Sequence, residues 1–289
     1  MFLYKKDTQW PTTAGNADTL LLMEGKKVLV IGASSGIGAA VAKAACTEGA
    51  EVVVVARRER KLMDQFISTN GTLVSFNAYP IKADVTSSDE MISMAKEANE
   101  HLEGFDLVVF CAGFARLLRL SDIQPDTMDN WQELYGTNVV GANLATAAVL
   151  PYMNPNGVIA YLSSRTVDDR LALLAPYTAS KAALDQCIRT WRVEEPQHRF
   201  TRVVMGWTAP TEVANRLGPL MGEAFGRWSE QGAPGGTIDT TDAAGALVKH
   251  FSVVLDHPKI NFPEMNLDMR YSGTPASYWG GLAEMMQGE

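Results

Sequence analysis

The sequence predicts a doubly wound α/β fold, a single parallel β-sheet with helices on both faces. Three observations carry that prediction. From Lys26 onward, β-rich and helix-rich stretches alternate. The strand candidates are continuous apolar runs rather than polar–apolar alternations, as strands buried on both faces require. Finally, no repeat, low-complexity tract or Pro/Gly-rich linker divides the chain. Right-handed crossovers between such strands place the helices on both sides of the sheet. The chain has 289 residues, and α/β folds often use about 250 residues as one domain. We therefore expect an N-terminal arm over residues 1–24 and one domain over 25–289.

Taken in order, Val28–Ile31 is a buried strand, and the alanine-rich stretch Ile37–Gly49 is a helix that stops at a glycine. Glu51–Val55 is a second strand with four consecutive valines, followed by a helix over Arg57–Phe66. Ala78–Lys82 is a third strand. A helix over Ser87–Glu103 follows, with Ser87 as N-cap and Glu90 three residues on. The remaining elements are strand Asp106–Phe110, helix Trp131–Tyr152, strand Gly157–Leu162, helix Pro176–Glu194, strand Arg202–Met205 and helix Asp242–Leu255.

Composition narrows the function classes. The 25 Lys+Arg and 33 Asp+Glu give a formal charge of −8. That balance argues against nucleic acid or an anionic membrane as the main partner, since both need clustered cations. Cys46, Cys111 and Cys187 are far apart and odd in number, so neither a disulfide framework nor a zinc site is expected. His101, His198, His250 and His257 show no metal spacing, and no metal is predicted. No apolar run reaches the roughly 18 residues of a membrane-spanning helix. A soluble, cytoplasmic protein is expected.

The first strand runs into Gly32-Ala33-Ser34-Ser35-Gly36-Ile37-Gly38 and then a helix. In such a turn Gly32 permits the tight bend, Gly36 lets backbone approach a phosphate, and Gly38 lets helix and strand pack closely. The helix N-terminus offers unpaired N–H groups to a pyrophosphate, which makes Ser34, Ser35 and Ile37 cofactor-contact candidates along with the glycines. The second strand then ends Val55-Ala56-Arg57-Arg58, with no carboxylate to accept from a ribose 2′-hydroxyl. Two guanidiniums stand where a 2′-phosphate would lie, so NADP(H) is favoured over NAD(H). Arg58 could equally be a solvated first-turn residue.

Tyr177 and Lys181 are four apart at the start of a helix and share one face. A phenol titrating near pH 10 is a poor proton-transfer group at neutral pH, and an ammonium one turn away is expected to draw it downward. Ser164 lies thirteen residues before Tyr177, where a strand ends. Ligands in a parallel sheet sit at such carboxyl ends.

The turn Gly32-x-x-x-Gly36-Ile37-Gly38, Asp84-Val85, Cys111-Ala112-Gly113, Asn138, Ser164 and Tyr177-x-x-x-Lys181 resemble, in order and spacing, the short-chain dehydrogenase/reductase family. The likeness runs from residue 26 to about 270. It implies a Rossmann fold and hydride transfer between a nicotinamide and a carbonyl or alcohol carbon. Tyr177 would be the acid or base, Lys181 would hold the nicotinamide ribose, and Ser164 would bond the substrate oxygen. Asn138 would bend its helix and anchor a relay water. Asp84 and Val85 would meet the adenine, while Ala112 and Gly113 would line the cleft.

Departures from the family pattern are Ile31, Cys111 and the segment Met205-Gly206-Trp207-Thr208-Ala209-Pro210-Thr211. In that segment Gly206 holds its place, and either Thr208 or Thr211 would contact the carboxamide. The resemblance also implies a substrate lid over about 212–235, with Leu217, Leu220, Met221, Phe225 and Trp228 at roughly helical spacing. A small apolar or aromatic carbonyl or alcohol is the expected partner. As a lid or as plain core packing, that apolar set would look the same. Helices Trp131–Tyr152 and Pro176–Glu194 resemble those that pair family members into homodimers or homotetramers, with Gly141, Ala142, Ala145 and Ala148 allowing close approach. A monomeric mass in light scattering would refute such pairing. Two alternatives stay open: an NAD(H)-linked alcohol dehydrogenase of the same fold, and a non-catalytic NADP(H)-binding sensor or scaffold.

Overall fold

The computed structural model describes residues 21–69, 72–73, 76–212, 217–233 and 236–269. Its strands are β1 (Lys27–Ile31), β2 (Glu51–Ala56), β3 (Ala78–Lys82), β4 (Phe105–Phe110), β5 (Met153–Ser164), β6 (Arg199–Met205) and β7 (Glu264–Leu267). Its main helices are α1 (Gly36–Thr47), α2 (Glu59–Phe66), α3 (Ser88–Leu102), α4 (Thr127–Tyr135), α5 (Gly141–Val149), α6 (Ala175–Glu194), α7 (Met221–Glu230) and α8 (Thr240–Asp256). The seven strands form one sheet in the order β7-β6-β5-β4-β1-β2-β3. Every neighbouring pair is parallel.

The valine run of β2 shows why these strands are apolar throughout. Successive side chains point to opposite faces. Val52 and Val54 join Val28 and Val30 under α1 and α8, packing with Val41, Leu247 and Phe251. Val53 and Val55 join Leu29 and Ile31 under α3, α5 and α6, packing with Met91, Ala145 and Leu184. The chain is thus wound on both faces of the sheet. Pro80 sits in β3, an edge strand, where a missing N–H costs no ladder bond on the open side.

Several boundaries move. The arm expected over residues 1–24 loses its end to the folded body: Met23 is fully buried and its N–H donates to the Glu48 carbonyl. Residues 1–20 lie outside the described residues. Arg57 and Arg58 precede α2 instead of opening it. Ser87 caps α3 as expected, accepting from Glu90 N–H at 3.3 Å. The reciprocal arm differs: the Glu90 carboxylate accepts from Asp84 N–H at 2.9 Å. The helix expected at Trp131–Tyr152 starts at Thr127 and is interrupted by a π-turn over Gly136–Val140. β7 was not expected at all. The small residues of α5 serve their own chain: Ala142 and Ala145 are in the core, and a Cβ on Gly141 would meet Val85 Cγ2 at 2.8 Å.

Among the described residues, no helix is long and apolar enough to cross a membrane. Likewise, no three His, Cys, Asp or Glu side chains gather as a metal site.

Candidate active site

A cleft of about 690 Å³ opens along the carboxyl edge of the sheet, lined by residues from Ile31 to Thr237. The β1–α1 turn forms one end. Gly32 has φ +97°, and a Cβ there would lie 2.4 Å from Ala112 N. Only glycine lets this turn nest against the end of β4. A Cβ on Gly38 would lie 2.4 Å from the Gly32 carbonyl oxygen, so α1 packs on the turn through a bare backbone. Gly36 has φ +56° and faces Thr211. Ser34, Ser35, Ile37, Ala112 and Gly113 line the same cleft.

Beyond the end of β2, the two arginines part company. Arg57 is half exposed and pairs with Asp84 at 3.6 Å. Asp84 also accepts from Thr86 N–H at 3.0 Å and from the Thr86 hydroxyl at 2.8 Å, so it braces its own turn. Val85, in contrast, lines the cleft. Arg58 is not a solvated helix residue. Its guanidinium donates to Ser34 Oγ at 2.8 Å and Ser35 Oγ at 3.0 Å, reaching into the glycine turn. It also pairs with Glu212, which takes Lys61 as well and accepts from Ser35 Oγ at 3.0 Å. Burial alone would raise the Glu212 carboxyl, but hydrogen bonds from Lys61, Arg58 and Ser35 pull it down to about 2.

Ser164, Tyr177, Lys181 and Asn138 gather at the other end. Ser164 ends β5 beside Met205, and its hydroxyl lies 2.8 Å from that of Thr166. Lys181 is 5% exposed, donates to the Leu162 carbonyl at 2.8 Å, and holds its ammonium 5.9 Å from the centre of the Tyr177 ring. A Cβ on Gly113 would lie 3.0 Å from Asn138 Oδ1 and 3.4 Å from Lys181 Nζ, so this glycine leaves room for both.

Asn138 lies in the π-turn and is fully buried. Its Oδ1 accepts from Phe114 N–H at 3.1 Å. Its amide donates to the Phe114 carbonyl at 3.1 Å and to Ser180 Oγ at 2.9 Å. Both N–H groups are therefore committed to protein partners, and the side chain fixes the loop after β4 against α6. A π-turn at such a place is a common device for aiming one side chain.

One electrostatic expectation is corrected. Burial pushes the Tyr177 phenol upward and the Asp185 charge adds to that, while the Ser164 hydrogen bond opposes it. Burial also brings the Lys181 ammonium down to about 8, against the opposing pull of Asp185 and Cys111. Desolvation dominates, and the neighbouring ammonium does not draw the phenol into the neutral range.

Asp185 was missed by sequence reasoning, although it lies one turn beyond Lys181 on the same helix. It accepts from Ser163 Oγ at 2.6 Å and pairs with Arg202 at 2.8 Å, tying α6 to β5 and β6. Glu212 and Lys61 were missed as well, and no local pattern marks either.

The segment expected as a lid leaves and rejoins the body through a two-residue parallel pairing of Thr208–Ala209 with Ile238–Asp239. Part of the expected lid, residues 213–216 and 234–235, lies outside the described residues. The rest packs on the segment after β5: Leu217 and Trp228 are buried with Leu171, Leu173 and Leu174, and Trp228 Nε1 donates to the Ala172 carbonyl at 2.7 Å. Leu217, Met221, Phe225 and Trp228 line the cleft together with Phe114 and Leu174. The apolar set is thus both packing and cleft wall. The two threonines also separate. Thr208 donates to the Gly206 carbonyl at 3.1 Å, whereas Thr211 stands against the glycine turn.

Comparison with known proteins agrees with this geometry. The short chain dehydrogenase family model matches residues 26–219. A short chain dehydrogenase of Pseudocercospora fijiensis is 34% identical over 169 residues, 57% of this chain and 53% of that protein. Glycine betaine reductase ATRR of Emericella nidulans is 32% identical over 235 residues, 78% of this chain but 17% of that protein. Versicolorin reductase stcU of the same organism is 31% identical over 184 residues, 62% of this chain and 67% of that one. The chain spans about half or less of the length of the first two of these relatives.

Among solved structures, an alcohol dehydrogenase from Thermococcus sibiricus complexed with 5-hydroxy-NADP superposes with a TM-score of 0.68 at 20% identity. It covers 86% of this chain and 99% of that one. A 3-ketoacyl-(acyl-carrier-protein) reductase from Brucella melitensis complexed with NADH gives 0.70 at 20% identity, over 85% and 98%. These likenesses show the Rossmann fold. With the family model spanning both the glycine turn and the Tyr177–Lys181 helix, the chain belongs to the short chain dehydrogenase family of oxidoreductases.

Proposed function

We propose that the protein is an NADP(H)-dependent oxidoreductase that reduces an apolar or aromatic carbonyl compound, or oxidises the matching secondary alcohol, with Tyr177 as its proton-transfer group. The observation that carries this proposal is the convergence, along one cleft, of a glycine turn entered by Arg58 with a Ser164–Tyr177–Lys181 cluster.

The residues present fit such a cofactor. Gly32, Gly36 and Gly38 form a turn that side chains would fill. Ser34, Ser35 and Ile37 stand at the N-terminus of α1, where backbone donors suit a pyrophosphate. Arg57 and Arg58 would receive a 2′-phosphate, Asp84 and Val85 would flank the adenine, and Ala112 and Gly113 would line the middle of the site. Gly206 and Thr208 line the cleft with Ser164, Tyr177 and Lys181, and Thr208 would be the carboxamide contact. Thr211, against Gly36, belongs to the phosphate end.

When bound, the cofactor would supply or accept the hydride. The chain's own groups handle the proton. The Ser164 hydroxyl and the Tyr177 phenol hold the substrate oxygen, and Tyr177 passes its proton to that oxygen as negative charge develops on it. Two of the matched relatives are reductases by name, which supports the reductive direction. Lys181 holds its positive charge beside the ring, and Asn138 fixes the loop that carries Phe114. Leu174, Leu217, Met221 and Phe225 offer the substrate an apolar wall.

Fluorescence titration with NADPH and NADH tests the cofactor assignment. Wild type binds NADPH at least about tenfold more tightly, as a charge-assisted phosphate contact implies. Arg58→Ala removes most of that preference, and Arg57→Ala removes less. Equal or tighter NADH binding by wild type would overturn the proposal.

A further inference from the structure

Both arginines that would receive a 2′-phosphate already hold carboxylates. Arg57 faces Asp84, and Arg58 faces Glu212, which also takes Lys61 and the Ser35 hydroxyl. Asp84 belongs to the body of the sheet, but Glu212 comes from the start of the lid, 154 residues along the chain from Arg58. Its neighbour Thr211 lies against Gly36, with side-chain carbon 3.6 Å from the position of a Cβ there. The leading edge of the lid therefore lies directly across the phosphate turn. The Glu212 carboxylate meets the same serine and guanidinium that an anionic ligand would use.

We infer that Glu212 is an anionic latch: it stands in for the cofactor phosphate in the cofactor-free protein, pins the lid to the glycine turn, and yields its place to a 2′-phosphate. This inference rests on the NADP(H) assignment above and adds the residue that sets its strength. Three cations, Arg57, Arg58 and Lys61, face two carboxylates in this cluster. A ligand phosphate must displace Glu212 to reach Arg58 or else share the site with a like charge. A ligand with only a 2′-hydroxyl has no such contest, because a carboxylate can remain as its acceptor. Glu212 thereby lowers affinity for the phosphorylated cofactor while leaving the unphosphorylated one untouched. The ion pairs are roughly one-third to one-half exposed, so each is worth no more than about fivefold in an equilibrium constant. Exchange with a ligand is thus within reach of ordinary binding.

The test uses fragments that carry no nicotinamide: adenosine 2′,5′-bisphosphate, with the 2′-phosphate, and 5′-AMP, without it. Both are titrated by calorimetry into wild type, Glu212→Gln and Glu212→Ala. Two lost ion pairs set a ceiling of about 25-fold tighter bisphosphate binding in both variants, with 5′-AMP changed less than about twofold. Hydrogen exchange of cofactor-free Glu212→Gln should also show faster exchange at residues 208–212 than wild type. Unchanged or weaker bisphosphate binding in both variants would overturn the latch, since Glu212 would then only be positioning Arg58. Equal weakening of both fragments would overturn it as well, as would tightening in Ala alone, which would point to lost packing and not to charge. If wild type itself does not distinguish the two fragments, the NADP(H) assignment falls, and that outcome is separate from any effect of position 212.

Discussion

At the glycine-turn end of the cleft, Arg57, Arg58 and Lys61 are roughly 40–50% exposed and each touches a carboxylate. At the Tyr177 end, Lys181 is buried and its hydrogen-bond partner is the neutral Leu162 carbonyl. Exposed pairs contribute little to stability and exchange partners readily. A buried ammonium is costly to desolvate and stays where packing and hydrogen bonds hold it. One end of the site is thus built to swap partners, and the other to keep fixed atoms in place before any ligand arrives.

The largest expected effect follows from the fixed end. If the catalytic groups are preassembled, removing the Tyr177 hydroxyl alone should abolish proton transfer and little else. Tyr177→Phe is expected to lower turnover by about 10³–10⁴-fold, the upper range for a positioned acid–base group. Its NADPH dissociation constant should stay within about twofold of wild type. Steady-state kinetics paired with a binding titration measures both. Retained turnover would mean that the cleft binds without using the tyrosine, as a sensor would.

The second effect concerns the buried ammonium. The Lys181 pKa is about 8 in the folded protein, below its ordinary 10.5. Between those values the unfolded chain binds more protons than the folded one, so stability rises with pH through that window. Below about pH 8 the full desolvation penalty applies. Wild type should therefore gain up to about 3 kcal/mol relative to Lys181→Met as pH rises from 8 toward 10.5. Urea midpoints of both proteins at pH 7.5 and 10 measure the difference. A gap that does not change with pH would show that Lys181 is not held in a desolvated setting.

The same contrast explains what was legible in the sequence. The glycine turn, Ser164 and the Tyr177–Lys181 spacing are local patterns, and local geometry dictates their residue types. The valine-rich strands announced a sheet covered on both faces for the same reason. β7 could not be read. Glu264-Met265-Asn266-Leu267 has no β-branched residue and is a strand only because β6 offers it an edge. The π-turn at Gly136–Val140 was equally silent, since a one-residue insertion in helical hydrogen bonding leaves no periodic trace. Sequence spacing paired Tyr177 with Lys181 correctly but could not weigh burial against charge, so the direction of the Tyr177 shift came out reversed. Glu212 acts on partners 151 to 177 residues away, and only the folded chain brings them together.

The lid joins the two regimes, and this gives the smallest and most discriminating of the expected effects. On the glycine-turn side it is held by the exposed Glu212 ion pairs, and on the other side by the buried Trp228 indole bonded to the Ala172 carbonyl. Ala172 is gripped twice, since its N–H donates to Gln231 Oε1 at 3.0 Å. Trp228→Phe keeps an aromatic ring beside Trp207 and Phe225, whose centres lie 5.0 and 5.5 Å away, but leaves the Ala172 carbonyl without its indole donor. The Ala172 carbonyl is only part-buried, so the loss of its partner costs about 1 kcal/mol, the low end for an unsatisfied acceptor. That cost falls on the cleft wall, so KM for an apolar carbonyl should rise by up to about fivefold while NADPH affinity stays unchanged. A rise in KM together with a changed NADPH/NADH ratio would mean that the two lid attachments are coupled, and the division between an exchangeable end and a fixed end would then break down.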